Sequence, residues 1–105
     1  MAAERWPAAP DVPTVDELDM HGLYMQFWSE LWAPKNTPPE ILKLLNTAAT
    51  AALNDPIVRQ RIMDVGQEVP RLELQTPDGL RTFHRAEIAK WWPIIKAANI
   101  KAPIP

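Results

Sequence analysis

Residues 37–54, TPPEILKLLNTAATAALN, decide the reading of the whole chain. Thr37 offers a hydroxyl N-cap, Pro38 stands at the first helical position where no N–H is needed, and Glu40 falls at N3, so a helix is set to begin here. Ile41, Leu44, Leu45, Ala48, Ala49 and Ala52 then recur at helical spacing and give that helix one apolar face through about residue 53. Asn54-Asp55-Pro56 repeats the same chemistry. Asp55 caps, Pro56 sits at N1, and Val58, Ile62 and Val65 line a second, shorter amphipathic helix that ends at Gly66.

C-terminal to this pair, Val69 to Leu74 alternates Leu72 and Leu74 with Arg71 and Glu73, which predicts a short strand that Pro70 confines to an edge or an end. Thr76-Pro77 opens the last helix, with Leu80, His84, Ile88, Trp91, Ile95 and Ala98 on one stripe that Phe83 widens. Pro93 removes the hydrogen bond to the Ala89 carbonyl, so a bend near Trp92 is expected. Asn99 can take the left-handed conformation that closes a helix, with Ile100 folding back over the end. Residues 101–105 are expected to form a disordered tail.

N-terminal to the pair, residues 23–32 fit either a helical stripe or one face of a strand. Tyr24, Phe27, Trp28 and Trp32 tip the reading to a strand, because aromatic side chains favour a pleated surface. Thr14-Val15-Asp16-Glu17 has the form of a capping box and predicts a short helix stopping near Gly22. Pro7, Pro10 and Pro13 make residues 1–13 an extended, proline-rich arm. The expectation is a helix-rich α/β chain with about four helices and one or two short strands, residues 14–100 forming a single domain.

The chain has 105 residues, twelve of them proline, with no cysteine and a formal net charge of -2. Close to half of the residues are apolar, the balance of a folding chain and not of a disordered one. Acidic and basic residues are interspersed, so the basic footprint that nucleic acid requires is lacking. Without cysteine, disulfides, thiolate metal sites and thiol nucleophiles are excluded. No stretch approaches the ~20 apolar residues of a membrane span, and the first residues lack the pattern of an export signal. As written, the sequence reads as cytoplasmic and not membrane-embedded.

Candidate chemistry is sparse. His84 and Glu87 form an H-x-x-E pair on one helical face, half of a carboxylate-rich metal site, but no other carboxylates are placed to complete it. Asp16, Glu17 and Asp19 cluster, and a capped helix start accounts for them better than calcium or acid–base work. Ser29 lacks the glycine-flanked turn of a hydrolase nucleophile. Asp11 and Thr14 are accounted for by turn and cap roles, and His21 by a turn. No cofactor is implied, and the chain is read as no enzyme. Of five tryptophans, Trp28, Trp32 and Trp91, together with Phe27, suit a core or an interface between subunits, while Trp6 and Trp92 lie off the main stripes and should be exposed.

Several stretches in order resemble the C-terminal part of the tripartite tricarboxylate transporter receptor family, also called Bug. They are Pro10-Asp11-Val12-Pro13-Thr14-Val15, Trp28 with Leu31 and Ala33-Pro34, Thr37-Pro38, Leu44-Leu45-Asn46, Ala51-Ala52-Leu53 with Asp55-Pro56, and Val58-Arg59 with Arg61. Gly66 and Glu68 follow, then Thr76-Pro77, Phe83, Arg85 through Trp91, and Ile95 through Ala98. Ser29-Glu30, Asn99, Pro93 and the stretch 71–74 depart from the family pattern. The resemblance implies a periplasmic solute receptor of two α/β lobes, a periplasmic-binding-protein-like fold, whose ligand is a small carboxylate held in the cleft mainly by loops outside the matched part. It implies here a shortened, non-enzymatic relative whose helix faces have lost the sheet they lay on. Such faces seek a partner, so a homo-oligomer is expected, with the carboxylate-binding role lost or, in a second reading, kept in a cleft between copies.

Overall fold

The computed structural model describes residues 4–102. Contacts divide the chain into two compact units, with the boundary between Lys35 and Asn36. The second unit holds all the regular structure: α1 (Pro39–Asn54), α2 (Pro56–Asp64), a single 3-10 turn (Leu72–Leu74) and α3 (Pro77–Ala97). α1 packs on α2, and α3 packs on the 3-10 turn.

Local chemistry at the helix ends explains these boundaries. α1 begins one residue later than Thr37 implies, with Pro38 in the cap position and its carbonyl accepting from the N–H groups of Ile41 and Leu42. At α2, the Asp55 carboxylate accepts from Ile57 N at 2.8 Å and Val58 N at 3.2 Å, satisfying two of the donors that a helix start leaves open. Thr76 Oγ1 does the same for Gly79 N at 3.0 Å. The C-terminal stops of α2 and α3 run through a left-handed residue. Gly66 has φ 77 and Asn99 has φ 51, and the next residue donates five positions back, Gln67 to Ile62 and Ile100 to Ile95. α3 continues through Pro93 instead of ending there.

Two expected strands are absent, and the described residues contain no strand at all, so the α/β expectation is corrected to a helical one. Residues 23–34 carry no regular structure. A strand is stabilised by the ladder and side-chain pairs it makes with neighbours, and no described segment offers it one. At 72–74 the chain satisfies itself locally instead, with Leu74 N donating to the Arg71 carbonyl at 2.9 Å and Gln75 N to the Leu72 carbonyl at 3.0 Å. Gln75 fastens this turn, its Nε2 donating to the Pro70 carbonyl and its own carbonyl accepting from Asn46 Nδ2 of α1, both at 2.7 Å.

The first unit is built of turns. The Thr14 capping box forms, with Thr14 N donating to Glu17 Oε2 at 2.8 Å and Glu17 N to Thr14 Oγ1 at 3.2 Å. No helix propagates from it. Asp19 turns left-handed at φ 55 and Met20 N closes back on the Val15 carbonyl at 2.9 Å, so the expected helix is a single closed turn. Within the stretch read as an extended arm, Ala9 N donates to the Trp6 carbonyl and Val12 N to the Ala9 carbonyl, so the chain turns twice. Residues 1–3 and 103–105 of the arm and the tail lie outside the described residues.

Packing is thin. Val15, 4% exposed, is the one buried residue among those described, and none of the three helices contributes a buried residue. On α3 the expected stripe is only half-buried, at Leu80, Phe83, His84, Trp91 and Ile95, while Ile88 faces out. On α1 the partly covered side is Leu42, Asn46, Ala49, Thr50 and Leu53, so of the apolar stripe read from the sequence only Ala49 is covered in part.

Replacing a capping side chain should cost about 1 kcal/mol, so Asp55→Ala and Thr76→Ala should each lower the urea midpoint of the helical circular dichroism signal. Gly79→Ala should cost more than Thr76→Ala, because an added Cβ would run into the Glu73 backbone carbonyl, which cannot swing away as a side chain could.

Candidate functional site

In the first unit, one turn gathers the polar side chains. Arg5 reaches twelve residues along the chain to Glu17, with Nε at 2.9 Å from Oε2 and Nη2 at 2.6 Å from Oε1, a two-pronged pair that also fixes the planar guanidinium. Arg5 Nη1 donates to the Pro10 carbonyl at 2.6 Å. Next to Glu17, Asp16 Oδ1 accepts from Tyr24 Oη at 2.7 Å and lies 3.1 Å from His21 Nδ1. His21 Nε2 is 3.8 Å from Asp19 Oδ1. Adjacent carboxylates therefore hold opposite flanks of the turn, Glu17 the upstream chain and Asp16 the downstream one.

The acids are tuned accordingly. Donation from Arg5, then from the Thr14 amide, holds Glu17 down at about 2. Donation from Tyr24, then from His21, holds Asp16 below the usual carboxylate range, and the same bond raises the Tyr24 phenol. These groups are solvated, and their partners saturate them. A catalytic acid or base would need a pKa near its working pH and room for a substrate. The cluster is a buckle, a role that the capping-box reading of Thr14 and Glu17 anticipated only in part. Arg5 was missed because a partner twelve residues away leaves no local signature.

The aromatic side chains singled out for an interface divide between the units. Phe27, Trp28 and Trp32 share the irregular segment that follows the buckle, whereas Trp91 belongs to α3. Phe27 is 85% exposed and its neighbour Leu31 is 82% exposed; Trp32 is also exposed and Trp28 half-buried. Trp32 Nε1 donates to Glu30 Oε1 at 2.9 Å. Trp91 is half-buried, its Nε1 donating to Glu87 Oε2 at 2.8 Å, with Lys90 Nζ 5.0 Å from its ring centre. Trp6 and Trp92, read as the exposed pair, are exposed.

His84 and Glu87 stand one turn apart on α3, and Glu87 is engaged by Trp91. Among the described residues no group of three or more histidine, aspartate or glutamate side chains is placed to hold a metal ion. Ser29 is an exposed residue of the irregular segment. A further feature is apolar. Ile41, Leu44 and Leu45 of α1 are exposed, Leu44 at 65% and Leu45 at 52%, and Ala48 and Ala52 continue their row into solvent. Sequence periodicity found this face, and the family resemblance read it as one that has lost its cover. Asn46 lies on the opposite side of the helix, and its amide anchors that side to the Gln75 carbonyl.

The buckle carries a pH dependence with a definite sign. Glu17 and Asp16 are depressed in the folded turn, so their contribution is complete above the ordinary carboxylate range and is lost as pH falls through the folded values, toward about 2 for Glu17. A carboxyl-detected NMR titration should place Glu17 at about 2 in the wild type, and Arg5→Ala should return it toward 4.5, the value without partners.

The model of the tripartite tricarboxylate transporter family receptor matches residues 1–100. Among curated proteins, the chain is 37% identical over 90 residues to the UPF0065 protein of the TAR-I ttuE-ttuC' intergenic region of Agrobacterium vitis, covering 86% of this chain and 26% of that protein. It is 30% identical over 101 residues to Protein BugT of Bordetella pertussis, covering 96% of this chain and 30% of that one. A UPF0065 protein from the clcB-clcD intergenic region of Pseudomonas knackmussii is 30% identical over 90 residues, covering 85% of this chain and 52% of that protein. The chain thus spans between a quarter and about half of the length of these relatives. No solved structure matches it. The family is a periplasmic solute-binding one, and no helix among the described residues is long and apolar enough to cross a membrane. With the family model matching nearly its whole length, the chain belongs to the tripartite tricarboxylate transporter receptor family.

Proposed function

We propose that this chain serves as a non-catalytic member of the receptor family that self-associates through the aromatic segment, and that one copy by itself holds no small carboxylate. One observation carries the reading: the segment bearing Phe27, Trp28, Leu31 and Trp32 projects large apolar side chains into water. Fully burying such a side chain is worth roughly 1.5–3 kcal/mol, so a second copy gains several kcal/mol by covering a few of them. In the second unit, Trp91, half-buried on α3 with its indole N–H already satisfied, can be covered by a partner without leaving a polar group bare.

The family's small-carboxylate chemistry supports a second reading, in which two copies form a cleft that binds the solute. In both readings the polar buckle contributes shape and not catalysis, since Glu17 and Asp16 are engaged by their own turn.

Light scattering coupled to size exclusion should find a dimer or larger species at tens of micromolar. Phe27→Asp combined with Trp32→Asp should weaken it at least thirtyfold, in line with truncation of interface anchors at about 2 kcal/mol or more. A monodisperse monomer in the wild type would overturn self-association. Titration calorimetry against a panel of di- and tricarboxylates separates the two readings: heat with saturation in the oligomer supports the cleft, and silence across the panel supports the first reading.

A further inference from the structure

The chain-wide balance of charge conceals a cationic row on α3. Between Gly79 and Lys101 five basic residues, Arg81, Arg85, Lys90, Lys96 and Lys101, stand against one acid, Glu87, whereas the other residues hold six basic and twelve acidic ones. The formal net charge of -2 is therefore made of +4 in this stretch and -6 elsewhere. Arg81, Arg85, Ile88, Trp92 and Lys96 follow one another at spacings of three or four residues, which puts them on one side of the helix. All five are exposed, Ile88 at 50% and Trp92 at 59%. Glu87 belongs to the half-buried side, where it accepts from the Trp91 indole. Arg81 pairs with Asp78 at 2.6 Å, and among the described residues no carboxylate pairs with Arg85 or Lys96. At 1.5 Å per residue the row is roughly 22 Å long.

A row of cations with an isoleucine and an indole at its middle fits a surface that is anionic outside and apolar just beneath. A bilayer containing anionic phospholipid is such a surface. Indole rings settle at the level of the headgroups, and arginine and lysine stems lie along apolar surface while their charged ends reach phosphate. An acidic protein would satisfy the charges but would also need a fitted pocket for Ile88 and Trp92, and a nucleic acid would leave Ile88 among phosphates. We infer that the exposed face of α3 bearing Arg81, Arg85, Ile88, Trp92 and Lys96 is a docking surface for the anionic phospholipid headgroups of a membrane. Contact is peripheral, since no helix among the described residues is long and apolar enough to cross the bilayer. The acidic remainder of the chain is repelled by the same surface, which favours approach through α3. None of the five residues lies in the aromatic segment, so the proposal is independent of self-association.

Flotation of the chain with vesicles of phosphatidylcholine, alone or with phosphatidylglycerol as about a third of the lipid, tests the proposal. Partitioning onto the mixed vesicles should exceed that onto phosphatidylcholine at least about tenfold and should fall as salt screens the exposed charges. Arg85→Glu with Lys96→Glu should lower it at least about twentyfold, since one cation near such a surface is worth roughly fivefold. Lys43→Glu with Arg61→Glu makes the same change in net charge at exposed positions of α1 and α2, and should alter it less than about threefold. Ile88→Ser with Trp92→Ser keeps every charge and should cost at least about tenfold through lost apolar contact. Circular dichroism should find the helical signal of each variant unchanged. If the glutamate pair melts α3, Arg85→Gln with Lys96→Gln takes its place, with an expected loss of at least about tenfold. Absence of binding to the mixed vesicles, equal binding to both kinds, equal effects of the two charge-reversal pairs, or an unaffected serine pair each overturns the proposal. So does retention on duplex DNA or polyglutamate in place of vesicles, which would assign the row to another anion. Phe27→Asp with Trp32→Asp should keep the preference for the mixed vesicles, so that failure of self-association and failure of this proposal are told apart.

Discussion

Apolar surface without a cover is the constraint on which the rest of this structure depends. A chain of this size that folds as an independent globule buries roughly two-thirds of the surface it exposes when unfolded. Here the described residues give up one buried side chain, Val15, and three helices stand with their apolar faces half or wholly in solvent. Loss of chain entropy opposes folding at every residue, and burial is the main force against it. On the self-association proposed above, the helices draw stability from outside their own unit, and the exposed aromatic segment is a surface available for it.

Local interactions set where the elements begin and end, and for that reason those positions could be read from residues alone. Asp55 and Thr76 cap as their side-chain chemistry dictates, and Gly66 and Asn99 close their helices in the left-handed region. What the residues could not disclose was anything requiring a distant neighbour. The 23–32 stretch has the composition of a strand, yet strand formation depends on a pairing partner, and none is present among the described residues. At 72–74 the same lack of a partner lets a 3-10 turn capture the backbone bonds, with Pro70 and Gln75 fixing its edges.

The face of α1 shows the same limit more sharply. Periodicity located the apolar row at Ile41, Leu44 and Leu45, but not which side of the helix its own unit would cover. The specific bond from Asn46 to the Gln75 carbonyl fixes that rotation. A hydrogen bond between part-buried groups fixes orientation, whereas hydrophobic attraction is non-directional. In the first unit the balance was similar. The capping box at Thr14 was legible, but the closing of its turn at Asp19 and the clasp from Arg5 depended on contacts that no spacing rule encodes. Polar groups thus specify the local geometry of this chain, while its large apolar groups are left mostly in solvent.

The most direct measurement of this account is hydrogen exchange of the α1 backbone amides followed across protein concentration. If external cover stabilises the helix, protection of the amides from Lys43 to Leu53 should be weak at low micromolar concentration and rise steeply as the chain associates. Strong protection that is independent of concentration would show that the unit stabilises itself, and would contradict it.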